Sequence, residues 1–150
     1  MTLFRAWAAT HAGSALERLD YDPGVLHPED VEIAVEYCGV CHSDLAMVDS
    51  EWFPATYPLV PGHEIIGTVV AMGDQVKGRS IGDRVGLGWH SKSCCHCNFC
   101  MGGEQNLCAK RQPTIVGRHG GFADKVRAHW VWALPIPEGL DPASAGPLMC

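Results

Sequence analysis

Four of the five cysteines between residues 94 and 108 have the spacing of metal ligands. Two residues separate Cys94 from Cys97 and Cys97 from Cys100, and seven residues separate Cys100 from Cys108. A gap of two residues lets one tight turn aim both thiolates at the same ion, and zinc accepts four thiolates in a tetrahedron at about 2.3 Å. The pattern predicts a closed, structural zinc site that stabilises a loop with little apolar content.

Other interpretations of this segment have a weaker basis. The fourth cysteine of a ferredoxin motif follows after three residues and precedes proline, whereas Cys108 follows after seven residues and precedes Ala109. Disulfides are rare in reducing compartments, and residues 1–10 do not resemble a secretory signal. Cys95 could replace Cys94, but only Cys94 keeps both gaps of two residues. We therefore expect a cytoplasmic protein with reduced cysteines.

A second set of candidate ligands lies far apart in the chain. Cys41, His63 and Cys150 belong to the segments GVCHSD, VPGHEIIG and PLMC. Two cysteines and one histidine form a known catalytic zinc set that leaves the fourth position to water or substrate. Zinc in such a set lowers the pKa of a bound hydroxyl group, which favours the oxidation of an alcohol by hydride removal. Taken singly, these residues have simpler explanations, namely packing for a cysteine and a surface position for a histidine.

Short runs of β-branched and alternating residues predict a mainly β chain. Gly67 lies inside one run and predicts a bulge or a close approach of two backbones. Many short strands with glycine-rich turns are typical of a barrel-like sheet. The predicted strands cover residues 3–12, 31–39, 64–73, 82–89 and 121–135, and the predicted helices cover residues 42–48 and 141–149.

Cap residues support both predicted helices. Ser43 or Asp44 would cap the first helix, and Asp141 would cap the second, with Pro142 at the first helical position. The cysteine-rich segment 91–120 has few strand signals, so we expect it to form an excursion from the barrel.

Composition excludes several classes of partner. A length of 150 residues suits one domain. The net charge is −6, and the eleven basic residues are scattered, which argues against a nucleic-acid surface. No stretch approaches the roughly 18–20 consecutive apolar residues of a membrane span. We therefore expect neither a nucleic-acid partner nor a membrane span.

The segment 62–76, GHEIIGTVVAMGDQV, resembles the signature of zinc-dependent medium-chain alcohol dehydrogenases. CGVCHSD before it and the four spaced cysteines after it stand in the family's order. SEW, YPLVPGHE and GGFAD resemble most the cinnamyl-alcohol-dehydrogenase-like branch, so the resemblance runs from about residue 3 to residue 150. It implies a mainly β fold, namely a GroES-like, partly closed β-barrel with short helices and a zinc-bound loop excursion.

The resemblance also implies roles for individual residues. For both tryptophans in the set, simple packing remains the alternative. The implied residues are Cys41, His63 and Cys150 for a catalytic zinc; Glu64 beside it for catalysis, either supporting the ligands or binding the metal transiently; Cys94, Cys97, Cys100 and Cys108 for a structural zinc; Ser43 for transfer of the substrate proton; His42 for the cofactor pyrophosphate; and Trp52 and Trp89 for the substrate pocket.

One position departs from the family pattern. Many relatives carry a histidine three residues after the serine, where it ends a proton relay at solvent, but this chain has Ala46 there. We expect the relay to end at His42, at Asp49 or directly at water, with weaker assistance by a base.

The nicotinamide cofactor requires a further part of the family's fold. A nucleotide-binding domain carries the pattern G-x-G-x-x-G before a helix that holds the pyrophosphate. The 150 residues contain no such pattern, and GLGWHS at 86–91 has only its first two glycines. We therefore expect residues 1–150 to be the N-terminal catalytic domain of a longer enzyme, which could form a homodimer when complete. Cys150 is expected to be poorly fixed at a free chain end.

The implied function is reversible hydride transfer between NAD(P) and a primary alcohol or aldehyde, aromatic ones included. The alternative from another class is a non-enzymatic zinc-binding module that is complete as it stands. Family members with lyase or reductase chemistry usually lack one or both zinc sets, so the presence of both argues against them. The residues beyond position 150 would separate the enzyme from the module.

Overall fold

The computed structural model describes residues 3–150, and most of its regular structure is β-sheet. No helix in this range is long and apolar enough to cross a membrane. The strands are β1 (Phe4–Ala9), β2 (Leu16–Tyr21), β3 (Asp30–Gly39), β4 (Glu64–Met72), β5 (Arg84–Leu87), β6 (His90–Lys92), β7 (Gln112–Pro113), β8 (Lys125–His129) and β9 (Leu134–Pro135). The α-helices are α1 (His42–Val48), α2 (Asn98–Met101) and α3 (Pro142–Ala145), and 3-10 turns cover Gln105–Leu107, Trp130–Trp132 and Gly146–Met149.

Five antiparallel strands in the order β8-β3-β4-β5-β9 form the central sheet. β1 and β2 form a separate hairpin, and β6 pairs with β7. Isolated bridges join Ala6 to Ala123 and Ala9 to Leu59, so the hairpin lies against segments that flank the central strands. Within residues 3–150 the strand pairings do not form a closed ring, in agreement with the predicted mainly β, partly closed fold.

The core of the central sheet is aliphatic. Val31 and Ile33 of β3, Ile65 and Val69 of β4, and Val85 of β5 are fully buried in one cluster. β-branched side chains suit the pleated surface of a strand, and burial of each one stabilises the fold by about 1.5–3 kcal/mol. This cluster packs the strands of the central sheet together. The candidate ligands Cys41 and His63 lie just after the end of β3 and just before the start of β4.

Gly67 of β4 lies where β3 bulges. The register of β3 against β4 shifts between Val35 and Tyr37, opposite Gly67 and Ile66. A Cβ atom on Gly67 would lie 2.2 Å from the carbonyl oxygen of Ala34, so the two backbones approach too closely for any side chain. The predicted bulge and the predicted close approach are both confirmed.

The C-terminal third contains shorter elements than predicted. Segment 121–135 is not one strand, because β8 ends at His129, whose side chain accepts a hydrogen bond from the N–H of Val131 and begins a 3-10 turn. Asp141 caps α3 as predicted. The helix then stops early, since Pro147 has no N–H to continue it, and a 3-10 turn follows.

Two further features of the local structure differ from the predictions. The N-cap of α1 is Cys41, not Ser43 or Asp44, because Asp44 is the third helical residue and its carboxylate accepts a hydrogen bond from the Cys41 N–H at 3.1 Å. β2 was not predicted, since half of the residues in its sequence, LERLDY, are charged and it carries little of the apolar alternation of a strand. The excursion 91–120 does contain short regular elements, namely most of β6, the whole of β7 and the helix α2.

Candidate metal centres

The thiols of Cys94, Cys97, Cys100 and Cys108 converge in the loop between β6 and β7. All four sulfur atoms lie within 4.8 Å of one another, and those of Cys94 and Cys100 are 3.9 Å apart. Two sulfur atoms of a zinc tetrahedron with bonds of about 2.3 Å are roughly 3.8 Å apart. Cys100 and Cys108 are buried. The spacing of the donors therefore fits a zinc ion with four thiolate ligands.

Backbone N–H groups surround these thiols. The N–H of His96 hydrogen-bonds the sulfur of Cys94 and is the main reason that the pKa of Cys94 falls to about 6. The N–H of Cys94 in turn donates to the sulfur of Cys108 at 3.5 Å. The contact with His96 favours the thiolate of Cys94, the form in which cysteine binds zinc. The N–H of Cys100 acts in the same direction on Cys97, but desolvation and the neighbouring thiols outweigh it and raise the pKa of Cys97 to about 11. Cys95 is outside the cluster, since its thiol lies 3.6 Å from the hydroxyl of Ser93.

A second group of donors forms beside the ends of β3 and β4. The ligand atoms of Cys41, His63, Glu64 and Cys150 all lie within 4.8 Å of one another, and the sulfur atoms of Cys41 and Cys150 are 3.6 Å apart. His63 and Glu64 are buried, whereas Cys150 is exposed. A Cβ atom on Gly39 would lie 2.0 Å from Oε2 of Glu64, so a side chain at this position would displace the Glu64 carboxylate. The structure thus brings together the residues of the predicted catalytic set.

Asp44 connects two of these residues, and the sequence analysis missed it as a site residue. Its Oδ1 atom accepts a hydrogen bond from the Gly62 N–H at 2.8 Å and lies 2.9 Å from Nδ1 of His63. Its Oδ2 atom accepts from the Cys41 N–H at 3.1 Å. One buried carboxylate therefore joins the start of α1 to the turn before β4. An acidic residue three positions after the N-cap was the available signal.

The second ring nitrogen of His63 has no partner. Nε2 is buried and forms no hydrogen bond with any residue of the range 3–150. Because the carboxylate of Asp44 accepts from Nδ1–H, it selects the tautomer whose Nε2 lone pair is free for a metal. Burial is the largest single influence and lowers the pKa of His63, but the hydrogen bond and charge of Asp44 together with the nearby Cys41 thiol outweigh it and raise the pKa overall. An unpartnered buried nitrogen is costly, so the residues present fit a zinc ion at this place.

Close packing upstream of Cys150 positions its thiol. Cβ atoms on Gly86 and Gly88 would lie 2.2 Å from Sδ and from the carbonyl oxygen of Met149, respectively. The turn Gly146–Met149 therefore packs directly on this part of the chain and presents Cys150 to the other donors. The two glycines of the GLGWHS segment serve this packing, a restraint on Cys150 that the sequence analysis did not include.

The residues predicted for proton transfer and cofactor contact lie on the first turn of α1. Oγ of Ser43 is 3.5 Å from the sulfur of Cys41, and the backbone N–H of Ser43 is the main group that lowers the pKa of Cys41. His42 is exposed. Ala46 is fully buried, so the position one turn further on carries no ionisable group.

Trp52 and Trp89 lie together beside this group. Their ring centroids are 6.2 Å apart, and the ring of Trp89 lies 5.1 Å from that of His63, nearly perpendicular to it. Thr114, which follows β7, holds the backbone around Trp89. Its N–H donates to the carbonyl oxygen of Trp89 at 2.7 Å, and its hydroxyl donates to that of Gly88 at 2.5 Å. The C-terminal end of the cysteine-rich loop is thus hydrogen-bonded to the main chain at Gly88 and Trp89.

Fold and site together define a GroES-like β domain with two groups of candidate metal ligands. Residues 27–138 match the family described as the alcohol dehydrogenase GroES-like domain, and the chain belongs to this family.

Similarity to individual proteins covers nearly the whole chain. An aldehyde reductase of Synechocystis is 54% identical over 148 residues, which are 99% of this chain and 44% of that protein. A cinnamyl alcohol dehydrogenase of Sorghum bicolor has a similar structure, with a TM-score of 0.91 and 33% identity over 99% of this chain and 45% of its own. A cinnamyl alcohol dehydrogenase of Helicobacter pylori in complex with NADP(H) has a TM-score of 0.90 and 27% identity, over 99% and 46%.

These comparisons confirm the predicted family, branch and fold class. They also show that the chain spans about half the length of the relatives that it matches.

Proposed function

We propose that this chain is the metal-binding, substrate-facing domain of a zinc-dependent alcohol dehydrogenase. The reaction is the interconversion of primary alcohols, aromatic ones included, and aldehydes. In the direction of reduction, a hydride passes from NAD(P)H to the carbonyl carbon and a proton is added to the oxygen, which gives the alcohol and NAD(P)+. The main support is the convergence of Cys41, His63, Glu64 and Cys150 around the unpartnered Nε2 atom of His63.

In this proposal Cys41, His63 and Cys150 hold the catalytic zinc, with Glu64 next to it. When bound, zinc supplies a Lewis acid that polarises the carbon–oxygen bond of the substrate. Asp44 keeps His63 in the tautomer that can bind, and its contact with the Cys41 N–H holds the two ligands in one arrangement.

Ser43 transfers the proton in this proposal. Its hydroxyl lies beside Cys41, so it can exchange a proton with a substrate oxygen at the same place. Because Ala46 offers no ionisable group, the proton continues to His42, to Asp49 or to water. The exposed His42 is also the residue that we assign to the cofactor pyrophosphate.

Trp52 and Trp89 form one wall of the substrate pocket in this proposal. Trp52 is 49% exposed, so its ring surface is free to contact a substrate. Aromatic side chains bury large, flat, apolar areas, which suits an aromatic or other apolar alcohol. The edge-to-face contact between Trp89 and His63 places this wall beside the proposed metal.

We assign NAD(P) to a further domain outside these residues. The relatives are about twice as long as this chain, and the glycine pattern of a nucleotide-binding domain does not occur in it. Residues 1–150 are then the N-terminal catalytic part of a cytoplasmic enzyme that could act as a homodimer, with a small alcohol or aldehyde as its partner.

Cys94, Cys97, Cys100 and Cys108 hold a second, structural zinc in this proposal. The cluster has four thiol donors and thus no place for a substrate. Its support is the spacing of the sulfur atoms and the backbone N–H groups that favour thiolates there.

Metal content and activity of the full-length protein test the proposal together. We expect two zinc ions per chain and NAD(P)H-dependent reduction of aldehydes. Cys41→Ser and His63→Ala should remove most activity and one zinc ion, and Cys108→Ser should remove the other. A zinc-replete protein that turns over none of a broad panel of alcohols and aldehydes, with either cofactor, would support the non-enzymatic zinc module.

A further inference from the structure

A cleft of about 510 Å³ lies next to the proposed substrate wall. Trp89 lines it, and the same side chain contacts the ring of His63. Phe53, which follows Trp52 in the chain, also lines it and is 51% exposed. The cleft is therefore placed to receive the end of a substrate that extends past Trp89, away from the proposed metal.

Arg111 gives this cleft its charge. Of the described residues that line it, Arg111 alone carries a permanent charge, and none of the ion pairs within residues 3–150 involves Arg111. Its Nη1 group donates to the carbonyl oxygen of Cys108 at 3.2 Å, which positions the guanidinium and leaves its other N–H groups available. A guanidinium without a counter-ion favours an anionic ligand.

Within residues 3–150 no carboxylate lines the cleft beside Arg111, and zinc would cancel half of the negative charge of the four thiolates proposed near it. His90 lines the same cleft, and burial, followed by the positive charge of Arg111, lowers its pKa, so its imidazole is neutral at neutral pH. Asn106 supplies an amide with both donor and acceptor atoms. The polar side chains thus make the cleft positive and rich in hydrogen-bond donors, and Phe53 and Trp89 add aromatic surface to it.

We propose that Arg111 binds a carboxylate at the far end of the substrate, so that the enzyme prefers alcohols and aldehydes with a carboxylate remote from the reacting carbon. The planar guanidinium can donate two parallel hydrogen bonds to a carboxylate. The aromatic side chains that line the cleft suit a flat ring between the two polar groups of such a molecule. This inference rests on the proposed function, because it assumes that the reacting carbon lies at the Cys41–His63–Cys150 group.

Two substrates that differ by one methyl group compare an anionic acid with its neutral ester. We would compare kcat/KM of the full-length enzyme for 4-carboxybenzaldehyde with that for its neutral methyl ester, methyl 4-formylbenzoate. The ratio of acid to ester should fall about 5-fold in Arg111→Gln, as expected for one partly exposed ion pair. It should also fall in the unaltered enzyme as salt is raised. Arg111→Lys should keep part of the preference, because it keeps the charge but loses the fork.

Lys110→Gln is the matched control. Lys110 is the neighbouring cation, but it lines a different cleft, beside Cys94 and Cys97, so its loss should leave the ratio unchanged. An equal fall in Lys110→Gln would overturn the assignment to Arg111. An unchanged ratio of acid to ester in Arg111→Gln would also overturn it. This includes a variant in which both substrates lose activity equally because the contact between Arg111 and Cys108 is lost.

A binding measurement separates this inference from the proposed function. Calorimetry with 4-carboxybenzyl alcohol and with methyl 4-(hydroxymethyl)benzoate does not depend on turnover. A preference for the acid that disappears in Arg111→Gln supports the cleft even when neither aldehyde is reduced. Turnover of both aldehydes without any dependence on Arg111 supports the proposed function and overturns the cleft.

Discussion

The two groups of candidate ligands are built in opposite ways. The cysteine cluster takes all its donors from residues 94–108, in a loop that contributes few residues to the buried core. The Cys41–His63–Cys150 group takes its donors from segments that span residues 41–150 and that rest on the central sheet. A local ligand set holds its own loop together and needs the metal to do so. A distributed set is held by the fold and depends on packing and hydrogen bonds outside the metal.

The largest expected effect comes from breaking the local set. Cys100→Ser removes one of four thiolates from a loop with little other packing, so we expect loss of one zinc ion and destabilisation by about 4 kcal/mol or more. Metal analysis and thermal unfolding measure both. Cys95→Ser is the control, because Cys95 lies outside the cluster, and it should change stability by less than about 0.5 kcal/mol. A variant Cys100→Ser with full zinc content would contradict the four-thiolate assignment.

The distributed set should respond to the loss of a residue that binds no metal. In Asp44→Asn the side-chain NH2 group faces the backbone N–H of either Cys41 or Gly62, so one hydrogen bond is lost. The side chain then fixes the tautomer of His63 less strongly. We expect zinc affinity at this group to fall about 10- to 100-fold, measured by competition with a chelator. Asp49→Asn, at the end of the same helix, should have no such effect. Equal zinc affinity in both variants would remove Asp44 from the site.

Packing under Cys150 gives an intermediate effect. Gly86→Ala and Gly88→Ala each create a clash with Met149, and we expect a destabilisation of about 1–3 kcal/mol and weaker metal binding at Cys150. Because the Gly86 clash involves the Met149 side chain and the Gly88 clash involves its carbonyl group, Met149→Ala should rescue only Gly86→Ala. Denaturant unfolding of the single and double variants measures this difference. Equal rescue of both would show that the turn moves freely.

The smallest expected effect concerns the proton path. Ala46→His should add an inflection near the ordinary histidine pKa of about 6.5 to the pH–rate profile, with a change in rate of less than about 10-fold. Since Ala46 is fully buried, the new side chain also costs stability through overpacking, so Ala46→Leu is the control for size. An unchanged profile would leave the relay without support.

Strong local signals explain which parts of the structure could be predicted. Helix α1 has the predicted bounds, and Gly67 marks the bulge in β3, because helix periodicity and the steric needs of glycine act over a few residues. The cysteine cluster was predictable from spacing for the same reason. β2 was missed, since half of its residues are charged and it pairs with β1 through its backbone.

The distributed group could be predicted only through the family resemblance. Cys41 and Cys150 are 109 positions apart, and no pattern of hydrophobicity or spacing carries such a contact. Asp44 was taken for a cap because a short acidic side chain at the start of a helix is a common cap. Only the fold reveals that its carboxylate also reaches Gly62 and His63.

Thr114 gives the cysteine-rich loop a second consequence. Thr114 lies at the C-terminal end of the loop and donates hydrogen bonds to the carbonyl groups of Gly88 and Trp89. The main chain that carries the Trp89 ring beside His63 is therefore held by this end of the loop. If the cysteine cluster holds zinc as proposed, removal of that zinc would then loosen the Trp89 side chain as well as the loop. The width of the proposed substrate pocket beside Trp89 would then depend on the structural zinc, although that zinc does not contact the substrate.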